Sequence, residues 1–386
     1  MAKKEKSEET LEEKQGMDAS AMAMLAFNKK NKDSFLDPKD FVKWRSSTGS
    51  LLLDAAIGGG FTPGVVVIGG ASKGGKTSSI LEFVKNALKM ENAKAIYYDC
   101  EGRVTDEMIA SSGIKMVLEE KDWAKNTCLL KYPKNYEVIL DGINNSISTQ
   151  EGVPKAERIK FIFVVDSLDT LVGKEDANKG VGDAAKVGGG AVIMSKFFKK
   201  SNMILNKLGH LLFLVKQVRE AIEIDKYAAK KQNASVGGNA PNAVIHAANH
   251  IWEYQGRTKT ANIMEGEDIV GHHCHIKLKK SNKEDVNVLV KYPVKHILKK
   301  SNGDDVGCVW LEMEIADSLI QWGFVSQAGS WIAFEEDFIQ ELKDQGFTVE
   351  DGFKIQGLPK LKIWLEQNPD IMEYLYAKFL KMFSEV

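Results

Sequence analysis

Cysteine is scarce in this sequence, with four in 386 residues: Cys100, Cys128, Cys274 and Cys308. They are far apart and form no CxxC pair. That excludes a dense disulfide framework or a cysteine-rich metal ribbon and suits a reducing compartment. A charge excess is missing too. Lys and Arg number 52 against 53 Asp and Glu, a formal net charge of −1. Affinity for a polyanion therefore has to come from a local basic patch. No apolar run approaches the roughly 20 residues of a membrane helix. The opening MAKKEKSEETLEEKQG has no apolar stretch of the kind a secretory signal carries. Internal repeats are absent. The expectation is a cytoplasmic chain with no membrane partner.

What is present is enough apolar residue for a core. The apolar fraction is 44% and the charged fraction 27%, so disorder is confined to short segments. The length suggests two or three domains. Residues 1–45 read as a tail and oligomerisation helix. MDASAMAMLAF (Met17–Phe27) is small and apolar, a helix that needs a surface to cover, on its own chain or a neighbour's. Residues 46–316 read as the core. Short, nearly continuous apolar runs at 65–68, 95–98, 161–165 and 211–215 read as strands covered on both faces. Helical patterns separate them, including one from Thr77 to Met90. Alternating strands and helices predict an α/β fold with a mainly parallel central sheet. After Gly271, three alternating stretches (HHCHIKLKK, VNVLVKYPV and CVWLEMEI) predict strands that extend the sheet. From Asp317 the chain turns helical and acidic, and 317–386 is expected to be a small C-terminal α/β domain.

The strongest motif is Gly70-Ala71-Ser72-Lys73-Gly74-Gly75-Lys76-Thr77, with Ser78 beside it. It satisfies GxxxxGK[ST] between a strand and a helix, the setting of a P-loop nucleoside-triphosphatase. Glycines let backbone N–H groups converge on phosphate oxygens, and the helix N-terminus adds its positive end. Lys76 would bridge the β- and γ-phosphates of ATP and the Thr77 hydroxyl would hold Mg²⁺. Phe161-Ile-Phe-Val-Val165 ends in Asp166, the second acid a magnesium site needs. Hydrolysis also requires a group to deprotonate or orient water. Glu101, just past AIYYD, is the candidate, with Asp99 as its rival.

These motifs, with the flanking segments, resemble the RecA family of homologous recombinases. The resemblance rests on Ser47–Gly60 (STGSLLLDAAIGGG), the P-loop, YYDCE (97–101), VVDSL (164–168), VKQVR (215–219), GGNA (237–240) and AGSW (328–331), in order from about residue 46 to the end. The divergent loops and lack of a long acidic tail look closest in character to phage UvsX-type recombinases, which would place the protein in a host cytoplasm. The resemblance implies a RecA-like core and a DNA-dependent ATPase. Such a protein forms helical filaments on single-stranded DNA and exchanges strands with a homologous duplex in recombination and repair. Single-strand-binding and mediator proteins would be further partners. By position, Glu101 matches the catalytic base, Gln217 the γ-phosphate sensor, and Lys280 a lysine that reaches the neighbour's ATP. The companion cation two residues on is Asn282, so either Lys283 substitutes or one cation is missing. Lys216 stands where the family has asparagine, and Met108 where it has an adenine-side tyrosine.

Two segments would face DNA, 180–190 and 219–238. The second carries Arg219, Lys226, Lys230 and Lys231, cations that would release counterions from a phosphate backbone. Glu220, Glu223 and Asp225 oppose them. Ile222 matches an apolar residue that wedges between bases. Gly237, Gly238 and Asn239 would offer N–H groups to phosphate, as would a helix start at Ser195, with Lys199 as a basic contact behind the first segment. His272-His273-Cys274-His275 is not expected to bind zinc, because strand neighbours point to opposite faces. Trp364, Tyr374, Tyr376, Phe379 and Phe383 read as core at helical spacing. Any duplex-binding role of the C-terminal region would rest on lysines such as Lys360 and Lys362. Two other readings stay open, a hexameric helicase or motor on the same core, and a nucleotide-switched mediator without strand exchange.

Overall fold

The computed structural model describes residues 18–31, 35–71, 74–177, 189–217, 242–283, 287–295 and 309–385. The chain divides into two compact units, the second beginning at Val42. In the first, the helix Ala19–Lys30 starts where the Asp18 carboxylate accepts the Ala21 N–H at 2.8 Å. None of its residues is buried, and Met22, Met24 and Phe27 are exposed.

The second unit is built on a large sheet. Its strands are β1 (Gly64–Gly70), β2 (Ala93–Asp99), β3 (Met116–Val117), β4 (Cys128–Lys131), β5 (Lys160–Asp166), β6 (Leu211–Gln217), β7 (His250–Tyr254), β8 (Asn262–Glu265), β9 (Asp268–Lys280) and β10 (Val288–Lys295). They run in the order β10-β9-β7-β1-β6-β5-β2-β4-β3, with β8 paired to β9. From β7 to β3 every pairing is parallel, while β9 joins β7 and β10 antiparallel. The apolar runs are central strands because successive side chains feed opposite layers. Val66, Ile68, Ile162, Val164 and Phe213 enter one core with Ile80, Phe83 and Val84 of the helix Lys76–Ala87. Val65, Val67, Phe163, Leu212 and Leu214 enter the other, with Ile139, Ile143 and Ile147 of the helix Tyr136–Ser148.

One expected strand is a helix. The alternation in CVWLEMEI ends at an isolated bridge of Val309 to Val294, and Leu311–Gln321 is helical. Alternation over eight residues is ambiguous. Continued into ADSLI, the pattern buries Ile315, Ala316 and Leu319, which is helical spacing. Three further strands, β11 (Val325–Ala328), β12 (Trp331–Phe334) and β13 (Lys354–Gln356), form a small antiparallel sheet. It packs with the helices Glu336–Asp344, Gly357–Gln367 and Pro369–Glu385 around Phe334, Phe338, Leu361 and Phe379. Trp364, Tyr374, Tyr376 and Phe383 pack against the same cluster.

A buried polar joint ties this layer to the segment that precedes β1. Glu314 accepts Ser50 Oγ and the Leu51 N–H, both at 2.6 Å. Asp54 accepts Ser47 Oγ at 2.6 Å and the Thr48 N–H at 2.8 Å, and the Tyr376 hydroxyl donates to it. Burial pushes the Glu314 carboxyl from an ordinary 4.5 up to about 8, against the bonds from Ser50 and Leu51. The folded chain thus keeps this proton where the unfolded chain has released it. The native state binds more protons between those values, so stability falls as pH rises through the window. Glu314→Gln should abolish this contribution. Urea unfolding at pH 5 and pH 8 should show wild type losing on the order of 1 kcal/mol or more relative to the variant. Parallel losses would contradict the assignment.

Candidate active site

The carboxyl ends of four parallel strands, β1, β2, β5 and β6, converge on one cleft. β1 ends at Gly70 with φ +135°, and a Cβ there would lie 2.2 Å from the Tyr254 carbonyl, so only glycine fits. The loop closes at Gly75, left-handed at φ +90°, which opens the helix Lys76–Ala87. Lys76 curls back over the loop, its Nζ donating to the carbonyls of Gly70 at 3.0 Å and Ala71 at 2.7 Å. Burial pushes its ammonium below the usual lysine range, and the carboxylates of Asp166 and Glu101 pull it back up. The floor comes from late in the chain. Cys274 Sγ of β9 lies 3.5 Å from the Gly74 carbonyl. Ser79 Oγ donates to the Gly75 carbonyl at 2.8 Å and shares a 2.7 Å hydrogen bond with Tyr292 of β10.

Asp166, at the end of β5, faces the loop. Its Oδ2 accepts from Thr77 Oγ1 at 2.9 Å and from the Tyr97 hydroxyl at 2.8 Å. Burial pushes the Asp166 carboxyl up, and the bonds from Tyr97 and Thr77 hold it down. A hydroxyl beside a carboxylate is the hard oxygen set that suits Mg²⁺.

The geometry separates Glu101 from Asp99. Glu101 lines the cleft. Its Oε1 accepts from Gln217 Nε2 at 2.7 Å and from the Ser167 hydroxyl, and its Oε2 meets Arg103 Nε at 2.7 Å. Asp99 is 3% exposed and accepts the N–H groups of Glu101, Arg103 and Val104 at 3.0–3.3 Å. Asp99 shapes the turn and Glu101 occupies it. The cleft holds about 290 Å³, with Lys76, Thr77, Ser78, Glu101, Asp166 and Gln217 in its walls. Arg103, Arg257 and His272 also line it. They lie outside any motif, although an arginine two residues after Glu101 was a readable signal. Strand alternation divides the histidine run. His272 shares the Cys274 side, towards the loop, while His273 and His275 lie on the other face and burial pushes both imidazoles down.

Lys280 is not in this cleft. β9 runs antiparallel to β7, with Ile276 opposite Tyr254 and Lys280 opposite Ile251. That puts Lys280 four residues, about 13 Å, towards the amino-terminal edge of the parallel strands. Its Nζ donates to the Ile245 carbonyl at 3.2 Å. Asn282 donates to Thr62 Oγ1 at 3.3 Å on the same edge. Ser72 and Lys73 of the loop lie outside the described residues.

The family model for the RecA N-terminal domain matches residues 39–292. The chain belongs to the RecA family. Protein RecA of Synechococcus sp. (strain CC9311) is 25% identical over 344 residues, 88% of this chain and 76% of that protein. The RecA proteins of Mycoplasma mycoides subsp. mycoides and Lactiplantibacillus pentosus are 25% and 26% identical over 299 and 336 residues, 77% and 86% of this chain and 76% and 75% of theirs. The fold is the RecA-like α/β core, and no helix among the described residues is long and apolar enough to cross a membrane. The phage UvsX-type likeness rests on the sequence features alone.

Several family-derived positions can be placed. Lys216 is buried, its ammonium pushed down by burial and raised by Asp169. Met108 packs against the core under the helix Asp106–Ser112. The helix expected to begin at Ser195 runs Gly189–Leu208. The Ser195 N–H is thus inside the helical ladder and cannot act as a helix-start donor, a correction to that expectation. Ser195 and the exposed Lys199 are four residues apart and share one face. Arg219, Ile222, Lys226, Lys230, Lys231, Gly237, Gly238 and Asn239 lie outside the described residues, as do 178–188. Lys362 is not available to a duplex. It is 7% exposed, bonded to Glu265 at 2.7 Å and set 3.9 Å over the Trp310 ring. Lys360 is exposed.

Asp99→Ala leaves three N–H groups without an acceptor and should cost ~1–3 kcal/mol of unfolding free energy. Glu101→Gln keeps its acceptor oxygen and loses mainly the pair with exposed Arg103, at under ~1 kcal/mol. Urea denaturation compares the two, and equal losses would refute the division of labour.

Proposed function

We propose that this chain is an ATP-dependent homologous recombinase that forms helical filaments on single-stranded DNA and exchanges strands with a homologous duplex. The observation that carries the reading is the bond from the Gln217 side-chain amide to Glu101. Gln217 is the last residue of β6, and its N–H is held by Asp169 at 2.5 Å. The segment carrying Arg219, Lys226, Lys230 and Lys231 starts directly after it. A terminal phosphate seated between Glu101 and Gln217 competes for that amide and so changes the anchor of the cationic segment.

In this reading Lys76 and the loop N–H groups hold the β- and γ-phosphates. Glu101 takes the proton of the attacking water, and Gln217 reports the terminal phosphate. Mg²⁺ held by Thr77 and Asp166 would neutralise charge on the phosphate oxygens. The placement of Lys280 away from its own cleft supports a role at a neighbouring subunit's nucleotide. Ser195 and Lys199 would join the second segment on the DNA. ATP favours the DNA-binding state only by its differential affinity for the two states, a coupling of typically ~5–150-fold.

Gln217→Ala should bind ATP nearly as wild type yet lose most of the ATP-dependent gain in affinity for labelled single-stranded DNA. A variant that keeps the gain would overturn the coupling. Lys230→Glu with Lys231→Glu should weaken DNA binding and flatten its salt dependence. Negative-stain images with single-stranded DNA and a non-hydrolysable ATP analogue should show helical filaments that Lys76→Ala lacks. Closed rings would instead favour the helicase reading.

A further inference from the structure

We infer that Tyr97 is a positioning residue for the magnesium-organising acid, and that its hydroxyl sets the metal affinity of the site. The inference rests on the reading of Asp166 given above. Tyr97 lies in the middle of β2 and is fully buried, its ring in the same core as Val164 and Ile80. A core position of this kind needs no hydroxyl, and a buried phenol has to find a partner. The partner is Asp166. β2 and β5 pair in parallel with Tyr97 opposite Val164 and Asp99 opposite Asp166. The two-residue period of a strand puts Val164 and Asp166 on one face, so the phenol reaches diagonally to the carboxylate. The contact is 2.8 Å to Oδ2, the same oxygen that accepts Thr77 Oγ1 at 2.9 Å.

Both donors act on one oxygen, so they fix the rotation of the carboxylate and direct Oδ1 away from the pair. Thr77 is itself a candidate metal ligand, so its hydroxyl serves the ion and the carboxylate together. Tyr97 has no other task in the cleft, which it does not line. It holds Asp166 from the core side whatever occupies the cleft. Groups that orient a ligating carboxylate typically change metal affinity ~10–100-fold when removed.

Tyr97→Phe removes one oxygen and keeps the ring. Metal binding is followed by electron paramagnetic resonance of Mn²⁺ titrated into the full chain with a non-hydrolysable ATP analogue. Affinity for a fluorescent ATP analogue in excess EDTA is measured alongside. The Mn²⁺ midpoint should rise about tenfold, with metal-free nucleotide affinity and far-UV circular dichroism unchanged. An unchanged midpoint would overturn the inference. So would loss of metal-free nucleotide affinity in parallel, since that would make Tyr97 a general scaffold. Asp166→Asn separates the two levels. If it too leaves the midpoint unchanged, the metal reading of Asp166 fails and the inference with it. If it raises the midpoint and Tyr97→Phe does not, only the role of Tyr97 fails.

Discussion

A sheet covered on both faces has nowhere inside to put its polar groups, and this constraint organises the molecule. Between Ala93 and Asp99, or Lys160 and Asp166, nearly every side chain is committed to one core or the other. In β1, β2, β5 and β6 charge is admitted only at or next to the strand ends, and the ends that matter lie side by side because the strands are parallel. Gly70, Asp99, Asp166 and Gln217 terminate neighbouring strands. Chemistry gathers along that edge because solvation and backbone N–H groups are available there and not a residue earlier.

The sequence made the edge legible because its signals are local. A P-loop between a strand and a helix, and an acid after an apolar run, each declare their own surroundings. Tertiary relations were not legible. Tyr97 looks like any aromatic strand residue until register sets it diagonal to Asp166. Glu101 was already preferred over Asp99, but what Asp99 does instead became legible only once the turn's N–H groups could be assigned. Arg257 and His272 reach the cleft from loops and strands with no signature. CVWLEMEI misled because eight residues are too few to separate the two periods, and the buried face of Glu314, Ile315, Ala316 and Leu319 is that of a helix. Ser195 misled by six residues, since the helix already runs from Gly189.

The buried acids illustrate one rule with two outcomes. Glu314 and Asp166 are both pushed towards protonation by burial. Among the described residues, Glu314 has hydroxyl and N–H donors to answer the desolvation, and it serves as a joint between two packed layers. Asp166 stands at a cleft beside Lys76 and Thr77, where a cation can answer it. The same cost of burying a carboxylate yields a fixed joint in one place and a binding group in the other.

The floor beneath the phosphate loop has a temporal meaning. Gly74 rests against Cys274 and Ser79 bonds to Tyr292, partners 200 and 213 residues downstream. A ribosome delivers the loop first and its support much later, at about 5–20 residues per second. For that interval the glycine turn is held only by the strands already made. A finished nucleotide pocket therefore lags well behind its own loop in the nascent chain, closed from below when β9 and β10 arrive.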